Sequence, residues 1–364
     1  MTKLKKSPKK VISNDNLKNA LQQLRTDNKI EIKTTPVFSK NKIKQNQKQQ
    51  PQQKKNKDFR DLSGVVLLDK PKDISSNHIL QKVKRLFNVK KAGHTGSLDP
   101  IATGLLPLCF GKTTKFAQYL LDSDKCYEVV AKFGVVTTTG DIEGEVVSEK
   151  AVPDNLENAL KDIINDFKGL QKQIPPMYSA LKHKGKPLYT YAREGIEIER
   201  EARDVNIYDI KILNVDSQNK TAKFYVSCTK GTYIRSLIYD IGEKIDTGAH
   251  VQELRRVSIG NIDTFSMVSI EELEQAFNNE SYKGLEKYRK SAKDIMRHLP
   301  YIYISNNELL SLKQGKLLSN KLITDNILSF TTNQKIRLFL ENKNNFVGVG
   351  LINADRKIIP QIVI

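Results

Sequence analysis

Cysteine and histidine are scarce in this sequence, and tryptophan is absent from it. The three cysteines, Cys109, Cys126 and Cys228, are odd in number and widely spaced, which gives neither a disulfide framework nor the ligand spacing of a zinc site. The five histidines are scattered, without HxxxH or HExxH spacing. The sequence therefore predicts a protein of a reducing compartment with no metal centre.

Long hydrophobic runs are missing as well. No window approaches 18 uninterrupted apolar residues, and the N-terminus has no apolar signal region. We therefore expect neither a membrane span nor secretory targeting, and we predict a cytoplasmic location. Apolar residues still make up 38% of the chain, which is enough to form a substantial core.

Basic residues are present in excess, and they are concentrated at the N-terminus. Residues 1–57 contain 16 Lys/Arg and three acidic residues, which is +13 of the net charge of +19. This Lys- and Gln-rich segment has few large apolar residues outside a stretch of helical spacing at 16–25. We predict a disordered extension, because such a segment cannot bury enough surface to offset its ordering entropy. Its composition fits either a nucleic-acid arm or a solvated tail.

Hydrophobic periodicity predicts folded structure from about residue 62 onward. A strand followed by a turn is expected within 63–73, further strands at 126–136, 205–215 and 221–228, and helices after Ser75 and Ser76 and at 115–121, 156–167 and 233–245. These elements show no regular βαβ alternation and no internal repeat. We therefore predict an α+β fold with a mixed, mainly antiparallel sheet.

Short apolar runs separated by turn residues replace this pattern after about Pro300. They predict a small all-β, barrel-like module of roughly 65 residues. The predicted organisation has three segments, which are a disordered basic extension at 1–57, a main domain at 58–299 and the small module at 300–364.

A glycine-rich stretch at residues 93–115 reads GHTGSLDPIATGLLPLCFGKTTK. Its Gly-Lys-Thr at 111–113 does not form a phosphate-binding loop, because Leu106 occupies the position where that motif needs its upstream glycine. A dinucleotide fingerprint fails on glycine spacing too. Asp99 is the only acidic residue of the stretch. It precedes Pro100, so a simple turn is one interpretation.

The surroundings of Asp99 favour a chemical role instead. Three glycines free the backbone to approach a ligand, and three hydroxyl side chains supply neutral hydrogen bonds. One unassisted carboxylate suits nucleophilic or electrostatic work on an electrophilic carbon better than paired acid–base hydrolysis. The glycines are Gly93, Gly96 and Gly104, and the hydroxyl residues are Thr95, Ser97 and Thr103.

The same stretch resembles the signature of the TruB family of tRNA pseudouridine synthases, GHTG-x-LDP-x-ATG-x-LP, with every fixed position present. Further blocks resemble the family in collinear order over about residues 60–300. They include GVVLLDKP at 64–71, SDKCYEVVAKFG at 123–134, TTTGDIEG at 137–144, QIPPMYSALK at 173–182, SCTKGTYIR at 227–235 and GAHVQELRR at 248–256. The C-terminal module resembles the small RNA-binding barrel, of the PUA kind, that many of these enzymes carry.

The resemblance implies an isomerase that converts uridine 55 in the T-arm of tRNA to pseudouridine. In this reaction the N1–C1′ glycosidic bond is broken, the uracil turns within the site, and C5 is joined to C1′. The chemistry requires neither oxidation nor energy input, so no cofactor is expected. The expected partner is the T-arm stem-loop of tRNA, with no obligate protein partner, and the target base must leave its stack to be reached.

The resemblance also implies roles for single residues. Asp99 matches the catalytic aspartate; whether it attacks C1′, attacks the base or abstracts a ribose proton stays open. Arg235 matches an arginine that pairs with this aspartate, and a fork of two parallel bonds is expected. Tyr127 matches a tyrosine that stacks on the base and is a candidate for removing the C5 proton. Lys70 is interpreted as structural, closing a strand beside the site.

Three further positions are predicted to contact the substrate. His94 is expected to help fill the place of the extruded base, and Leu254 to make an apolar contact with the uracil. Tyr233 lies with Arg235 at a predicted helix start, where backbone amides can also meet phosphate.

Two alternatives stay open on the sequence alone. A guide-dependent pseudouridylase of the related archaeal and eukaryotic type would need partner proteins and a guide RNA. The continuous region from QIPPMYSALK to GIEIEREAR at 173–203 and the short C-terminal module favour a stand-alone bacterial enzyme over that type. An RNA-binding factor that helps tRNA to fold would not need the set of Asp99, Tyr127 and Arg235.

Overall fold

The computed structural model describes residues 58–264, 267–318, 330–341 and 345–364. The predicted extension at 1–57, with its helical stretch at 16–25, lies outside these residues. Within the described ranges, no helix is long and apolar enough to cross a membrane.

Strands and helices follow one another along the main part of the chain. Its strands are β1 (Gly64–Lys70), β2 (Ala92–His94), β3 (Thr103–Phe110), β4 (Lys125–Phe133), β5 (Val135–Thr137), β6 (Val146–Glu149), β7 (Gly169–Gln173), β8 (Lys182–His183), β9 (Lys186–Pro187), β10 (Arg203–Asp216), β11 (Thr221–Cys228), β12 (Ala249–Ile259) and β13 (Ile262–Asp263). Its helices are α1 (Ser76–Leu86), α2 (Ala117–Leu121), α3 (Leu156–Ile163), α4 (Leu188–Arg193), α5 (Ile234–Lys244), α6 (Ile270–Glu286) and α7 (Ala292–Ile295), with 3₁₀ turns at Gly111–Phe116 and Ile164–Phe167.

One large sheet forms the framework of this main part. Its strand order is β1-β3-β12-β4-β11-β10-β7, with β2 also paired to β3 and β13 to β12. The neighbours run antiparallel, except for the parallel pair of β3 and β12. The prediction of an α+β fold with a mainly antiparallel sheet is therefore confirmed.

Strand β4 illustrates how the sequence pattern produces this sheet. Alternate residues of the strand, Tyr127, Val129, Ala131 and Phe133, are buried in the main core, as the period of two predicts. The sequence predicts a strand that continues to residue 136. The structure ends β4 at residue 133 because Gly134 takes a positive φ of 90°, and the chain resumes as β5.

The C-terminal part forms a separate sheet. It contains β14 (Tyr301–Ile304), α8 (Asn306–Lys313), β15 (Lys335–Leu340), β16 (Asn345–Ile352) and β17 (Ile358–Val363). The strand order is β14-β15-β16-β17, and β14 and β15 run parallel. The predicted β-structure is confirmed, but the helix α8 was not predicted.

The C-terminal sheet packs against the main part. Phe346 contacts the ring of Phe116 with 5.4 Å between the ring centroids, and Val349 is buried in the same cluster as Leu105. The described residues belong to one compact unit. The boundary between residues 299 and 300 stays a prediction.

Candidate active site

The segment that carries Asp99 connects β2 and β3. These strands pair antiparallel, with Gly93 opposite Cys109. The Ala102 amide donates to the Asp99 carbonyl over 3.0 Å, which closes a turn at the Asp-Pro step. The turn interpretation of Asp99 is thus correct for its backbone, and its side chain stays available for chemistry.

Gly104 is needed for strand packing rather than for ligand approach. Its φ is +97°, and a Cβ there would overlap the Arg256 carbonyl oxygen and lie 3.0 Å from the Arg256 nitrogen. The cause is the parallel pairing of Arg256 with Gly104. The sequence interpretation of this glycine is therefore wrong, whereas Gly96 does line the cavity beside Asp99.

We expect Gly104→Ala to lower the free energy of unfolding by at least about 2 kcal/mol, because both the positive φ and the overlap oppose a side chain. Gly93→Ala is the matched control, since a Cβ at 93 has no neighbour within 4 Å, and it should change this free energy by less than about 0.5 kcal/mol. Denaturant titrations of the two variants test this. Equal stability for both would remove the packing role assigned to Gly104.

Two side chains from outside the loop fix its position. Ser76 is 3% exposed, and its hydroxyl accepts from the Leu98 amide at 2.8 Å and donates to the Leu98 carbonyl at 2.9 Å. Lys70 is fully buried, and its Nζ donates to the carbonyls of Pro71 and Pro100. These contacts agree with the structural interpretation of Lys70. Ser75 alone caps α1, whereas Ser76 serves the loop.

Asp99 forms an ion pair with a buried arginine. Nε of Arg235 lies 2.9 Å from Oδ2 of Asp99; the arginine side chain is 4% exposed and that of Asp99 is 39% exposed. The terminal nitrogens of the guanidinium donate to backbone carbonyls, Nη1 to Thr139 and Nη2 to Tyr178. The expected fork of two parallel bonds is therefore not the geometry found, because other segments of the chain hold both terminal nitrogens.

A second carboxylate, that of Asp141, contacts a different nitrogen of the same arginine. Its Oδ2 lies 3.5 Å from Nη1 of Arg235, and its side chain is 5% exposed. Its Oδ1 accepts hydrogen bonds from the Thr139 hydroxyl and the Glu143 amide. The arginine therefore lies between two carboxylates. One of them, Asp99, is accessible and the other, Asp141, is held in place.

We expect Asp141→Asn to lower the rate of the chemical step by about 10- to 100-fold, because the asparagine amide would face Nη1 with a donor in place of an acceptor. Single-turnover rates, with the enzyme in saturating excess over the substrate, measure this. The control is Asp166→Asn, which changes an exposed carboxylate paired with Lys244 and should leave the rate unchanged. A parental rate for Asp141→Asn would show that Arg235 needs no support from this side.

Tyr127 and Arg256, which are cross-strand neighbours on β4 and β12, also line this cavity. Burial raises the pKa of Tyr127 to about 12, although the neighbouring Arg256 guanidinium opposes this rise, so the phenol keeps its proton at neutral pH. Arg256 is 1% exposed and donates to the carbonyls of Leu105 and Gly96. In the described part of the chain, no carboxylate lies within 4 Å of it.

Lys125 contributes a further cation to the cavity. Its Nζ donates to the carbonyls of Leu121 and Ser123, and burial lowers its pKa to about 8. The cavity of about 300 Å³ is therefore lined by one carboxylate, that of Asp99, and by three basic side chains. This balance suits an anionic substrate such as a nucleotide.

The structure brings five of the six predicted site residues to this cavity. They are Asp99, Tyr127, Tyr233, Arg235 and Leu254. Tyr233 precedes the first residue of α5, as predicted, and Gln173 holds its backbone through two hydrogen bonds.

His94, the sixth predicted residue, is not among the residues that line the cavity. It lies at the end of β2, and its Nδ1 is buried without a partner among the described residues. Burial and the nearby Arg256 lower the pKa of His94, so the ring is neutral at neutral pH.

Sequence reasoning missed Asp141, Arg256, Lys125 and Ser76 as parts of the site. A signal for Asp141 was available, because it lies among threonines and glycines as Asp99 does. A signal for Arg256 was its place two residues after the buried Leu254 on one strand face. Among the described residues, no group of three or more His, Cys, Asp or Glu side chains could hold a metal ion.

Comparison with known protein families gives two matches along the chain. The family model described as TruB family pseudouridylate synthase (N terminal domain) matches residues 84–234. The model described as tRNA pseudouridylate synthase B C-terminal domain matches residues 235–295. Together they cover residues 84–295, which is more than half of the 364 residues.

Curated proteins extend this similarity over most of the chain. The chain is 43% identical over 305 residues to tRNA pseudouridine synthase B of Coxiella burnetii (strain Dugway 5J108-111), a match that covers 84% of this chain and 96% of that protein. It is 48% identical over 257 residues to tRNA pseudouridine synthase B of Idiomarina loihiensis, a match that covers 71% of this chain and 82% of that protein.

Solved structures share the fold at lower identity. A Cbf5–Nop10–Gar1 complex contains a chain that is 24% identical with a TM-score of 0.62, and the match covers 83% of this chain and 84% of that one. The site geometry, the family models and the curated relatives agree, and the chain therefore belongs to the TruB family and is a pseudouridine synthase.

Proposed function

We propose that this protein isomerises uridine 55 in the T-arm of tRNA to pseudouridine, with Asp99 as the catalytic carboxylate. The observation that carries the proposal is the pairing of a partly accessible Asp99 with the buried Arg235, in a cavity whose other charged lining residues are basic. The names of the curated relatives, tRNA pseudouridine synthase B, support tRNA as the substrate.

The reaction is a balanced isomerisation at one nucleotide. The N1–C1′ bond breaks and the C5–C1′ bond forms, while C5 loses its hydrogen and N1 gains one. The uridine must first leave its stack, and the cavity of about 300 Å³ receives it. Since the hydrogen at C5 is released to solvent, its release reports directly on turnover.

Asp99 has the environment of a nucleophile or a base. Its Oδ2 faces Arg235, which holds the carboxylate in one orientation and stabilises the anion. Attack on C1′, attack on the base and abstraction of a ribose proton all need the ionised carboxylate. Each of these three routes therefore predicts the same dependence on the ionisation of Asp99.

The other cavity residues are proposed to hold the extruded uracil. Leu254 is 7% exposed and offers an apolar contact, and Tyr127 offers a ring for stacking together with a protonated hydroxyl. Lys125 and Arg256 supply positive charge for the phosphates of the nucleotide. A role for Tyr127 in removing the C5 proton would first require loss of its own proton.

As pH is lowered, the rate should begin to fall at a higher pH than the ordinary pKa of an aspartate would give. Burial raises the pKa of Asp99; Arg235 opposes this rise and Asp141 adds to it. The rate should fall as pH drops through this raised pKa, because protonation removes the catalytic carboxylate. Asp141→Asn should move this fall to lower pH, since it removes a negative charge. Single-turnover rates from acid to neutral pH test this, and an identical acid limb in both proteins would contradict it.

The function itself is tested with purified protein and a T-arm hairpin transcript labelled with tritium at C5 of its uridines. We expect tritium release from the hairpin with uridine at position 55, and none above background when cytidine occupies that position. No guide RNA, protein or cofactor is added. Release that requires such an addition would favour a guide-dependent enzyme, and tight binding without release would favour an RNA-folding factor.

A further inference from the structure

The hydroxyl of Ser179 is buried in the wall of the cavity that contains Asp99. Ser179 lines this cavity and is 4% exposed. Its Oγ has no hydrogen-bond partner among the described residues, and of the buried side-chain polar atoms in that condition it is the one that belongs to a residue lining the cavity. A buried hydroxyl without a partner lowers stability unless a ligand bonds to it, so its presence needs an explanation.

The main chain around Ser179 is held in place by hydrogen bonds. The Ser179 carbonyl accepts from the Tyr189 amide over 3.1 Å. The preceding carbonyl, that of Tyr178, accepts from Nη2 of Arg235, whose Nε pairs with Asp99. Arg235 therefore connects the segment of Ser179 to the carboxylate, and a hydroxyl fixed in this way can orient a nucleotide relative to Asp99.

The buried basic side chains of the cavity already bond to the protein. Lys125 donates to two backbone carbonyls, and Arg256 does the same. Arg235 uses its three nitrogens on Asp99 and on two further carbonyls. Ser179 differs from these side chains, because its hydroxyl can bond to a ligand without giving up a contact that holds the protein together.

The hydroxyl of Tyr233 is a neighbour of Ser179 in the same cavity. Burial raises the pKa of Tyr233, and the nearby Ser179 hydroxyl opposes this rise. The phenol therefore keeps its proton at neutral pH and can donate it to the Ser179 oxygen. A serine hydroxyl has one proton and can accept as well, so a bond from Tyr233 leaves the Ser179 proton for an acceptor on the ligand.

Uracil offers two such acceptors, the carbonyl oxygens O2 and O4, on either side of N3. Turning the ring over about the line through N3 and C6 exchanges N1 with C5 and O2 with O4, and it leaves N3 in place. The isomerisation needs this exchange, because C5 must take the position of N1 at C1′. A donor placed at one carbonyl oxygen therefore meets a carbonyl oxygen both before and after the turn.

We propose that the Ser179 hydroxyl donates a hydrogen bond to a carbonyl oxygen of the extruded uracil and so holds the base in position for Asp99 before and after the ring turns. This inference rests on the proposed function, because it needs a uridine in the cavity around Asp99. An uncharged hydroxyl suits the uncharged base, whereas Lys125 and Arg256 supply charge for the phosphates. The ribose 2′-hydroxyl is the other group that a serine could contact, and the test separates the two.

Ser179→Ala is expected to lower kcat/KM for tritium release from the T-arm hairpin by about three- to tenfold, the loss of one hydrogen bond between neutral groups. Without RNA it should not lower the melting temperature, because the hydroxyl that it removes has no partner among the described residues. Ser269→Ala is the control with the opposite expectation. The Ser269 hydroxyl accepts from the Glu272 amide in the capping box of α6, so the melting temperature should fall while kcat/KM stays parental.

The contacted atom is identified with hairpins that carry 4-thiouridine, 2-thiouridine or 2′-deoxyuridine at position 55. Sulfur accepts hydrogen bonds more weakly than oxygen does. One of the two thio substitutions should therefore slow the parent protein by about three- to tenfold more than it slows Ser179→Ala, since the variant has already lost the donor. The 2′-deoxy substitution should slow both proteins by the same factor. Chromatography of the digested nucleosides gives these rates.

Any of four results would overturn the proposal. They are a parental kcat/KM for Ser179→Ala, a melting temperature of Ser179→Ala that falls as that of Ser269→Ala does, thio substitutions that slow both proteins equally, and coupling of Ser179→Ala to the 2′-deoxy substitution, which would place the hydroxyl at the ribose. Tritium release by the parent protein separates the two levels of the account. A parent protein that releases none from the hairpin contradicts the proposed function, whereas these four results in an active parent contradict this inference alone.

Discussion

Asp99→Asn is expected to lower the single-turnover rate by at least about 1,000-fold, which corresponds to about 4 kcal/mol in the barrier. The amide keeps the shape of the side chain but can act neither as a nucleophile nor as a base at this position. Binding of tRNA should stay within about threefold, because Arg235 keeps its hydrogen bonds to the carbonyls of Thr139 and Tyr178.

Tritium release gives the rate of this variant, and a filter-binding titration gives its affinity. Asp166→Asn, at an exposed carboxylate on another part of the surface, serves as the control and should retain the parental rate. A turnover rate of Asp99→Asn within about tenfold of the parent would show that another group performs the chemistry.

Arg235→Lys is expected to lower the rate by at least about 100-fold, although the charge is conserved. A lysine cannot contact Asp99 and both backbone carbonyls at once, because its three N–H donors all belong to one ammonium group at the end of a flexible side chain. The carboxylate would lose its fixed orientation, and the segments around Thr139 and Tyr178 would lose a common anchor. We therefore expect the loss in kcat, with a small change in KM.

The matched control for this substitution is Arg289→Lys. Arg289 also combines one carboxylate contact, to Glu286, with one carbonyl contact, to Ser63, but it does not line the cavity. It should change the rate by less than about twofold, which is about 0.4 kcal/mol. If Arg235→Lys behaved as this control does, Arg235 would be a structural residue and not the partner that orients Asp99.

Strands β1, β4, β10 and β11 and the loop around Asp99 could be predicted because they depend on local patterns, whereas β3 and β12, which lie inside the main sheet, were not predicted. The alternation around Tyr127 determines which face of β4 is buried, and the spacing of glycines, hydroxyls and one acid marks the loop. Helix α5 begins just after Tyr233, at the position where the sequence predicts a helix start.

The contacts of Arg235 could not be predicted in the same way. They depend on the crossing of three segments that are far apart in sequence, around Thr139, Tyr178 and Asp99. No local spacing reports that crossing, so the fork expected from the two residue types alone was wrong. The parallel pairing that places Arg256 beside Gly104 could not be predicted for the same reason.

Helix α8 was missed for a different physical reason. Its leucines do not share one face, since Leu312 is buried and Leu310 is 59% exposed. The helix is instead marked by its capping box, in which Ser305 and Glu308 bond to each other's backbone amides. A search for that pair would have found it.

The role of Asp99 in forming pseudouridine 55 is tested by chemical mapping of pseudouridine along a full-length unmodified tRNA transcript incubated with the purified protein alone. We expect one new pseudouridine, at position 55, formed without guide RNA, metal or partner protein and absent when Asp99→Asn is used. Pseudouridine at another position, or a product at 55 that persists in the Asp99→Asn protein, would contradict it.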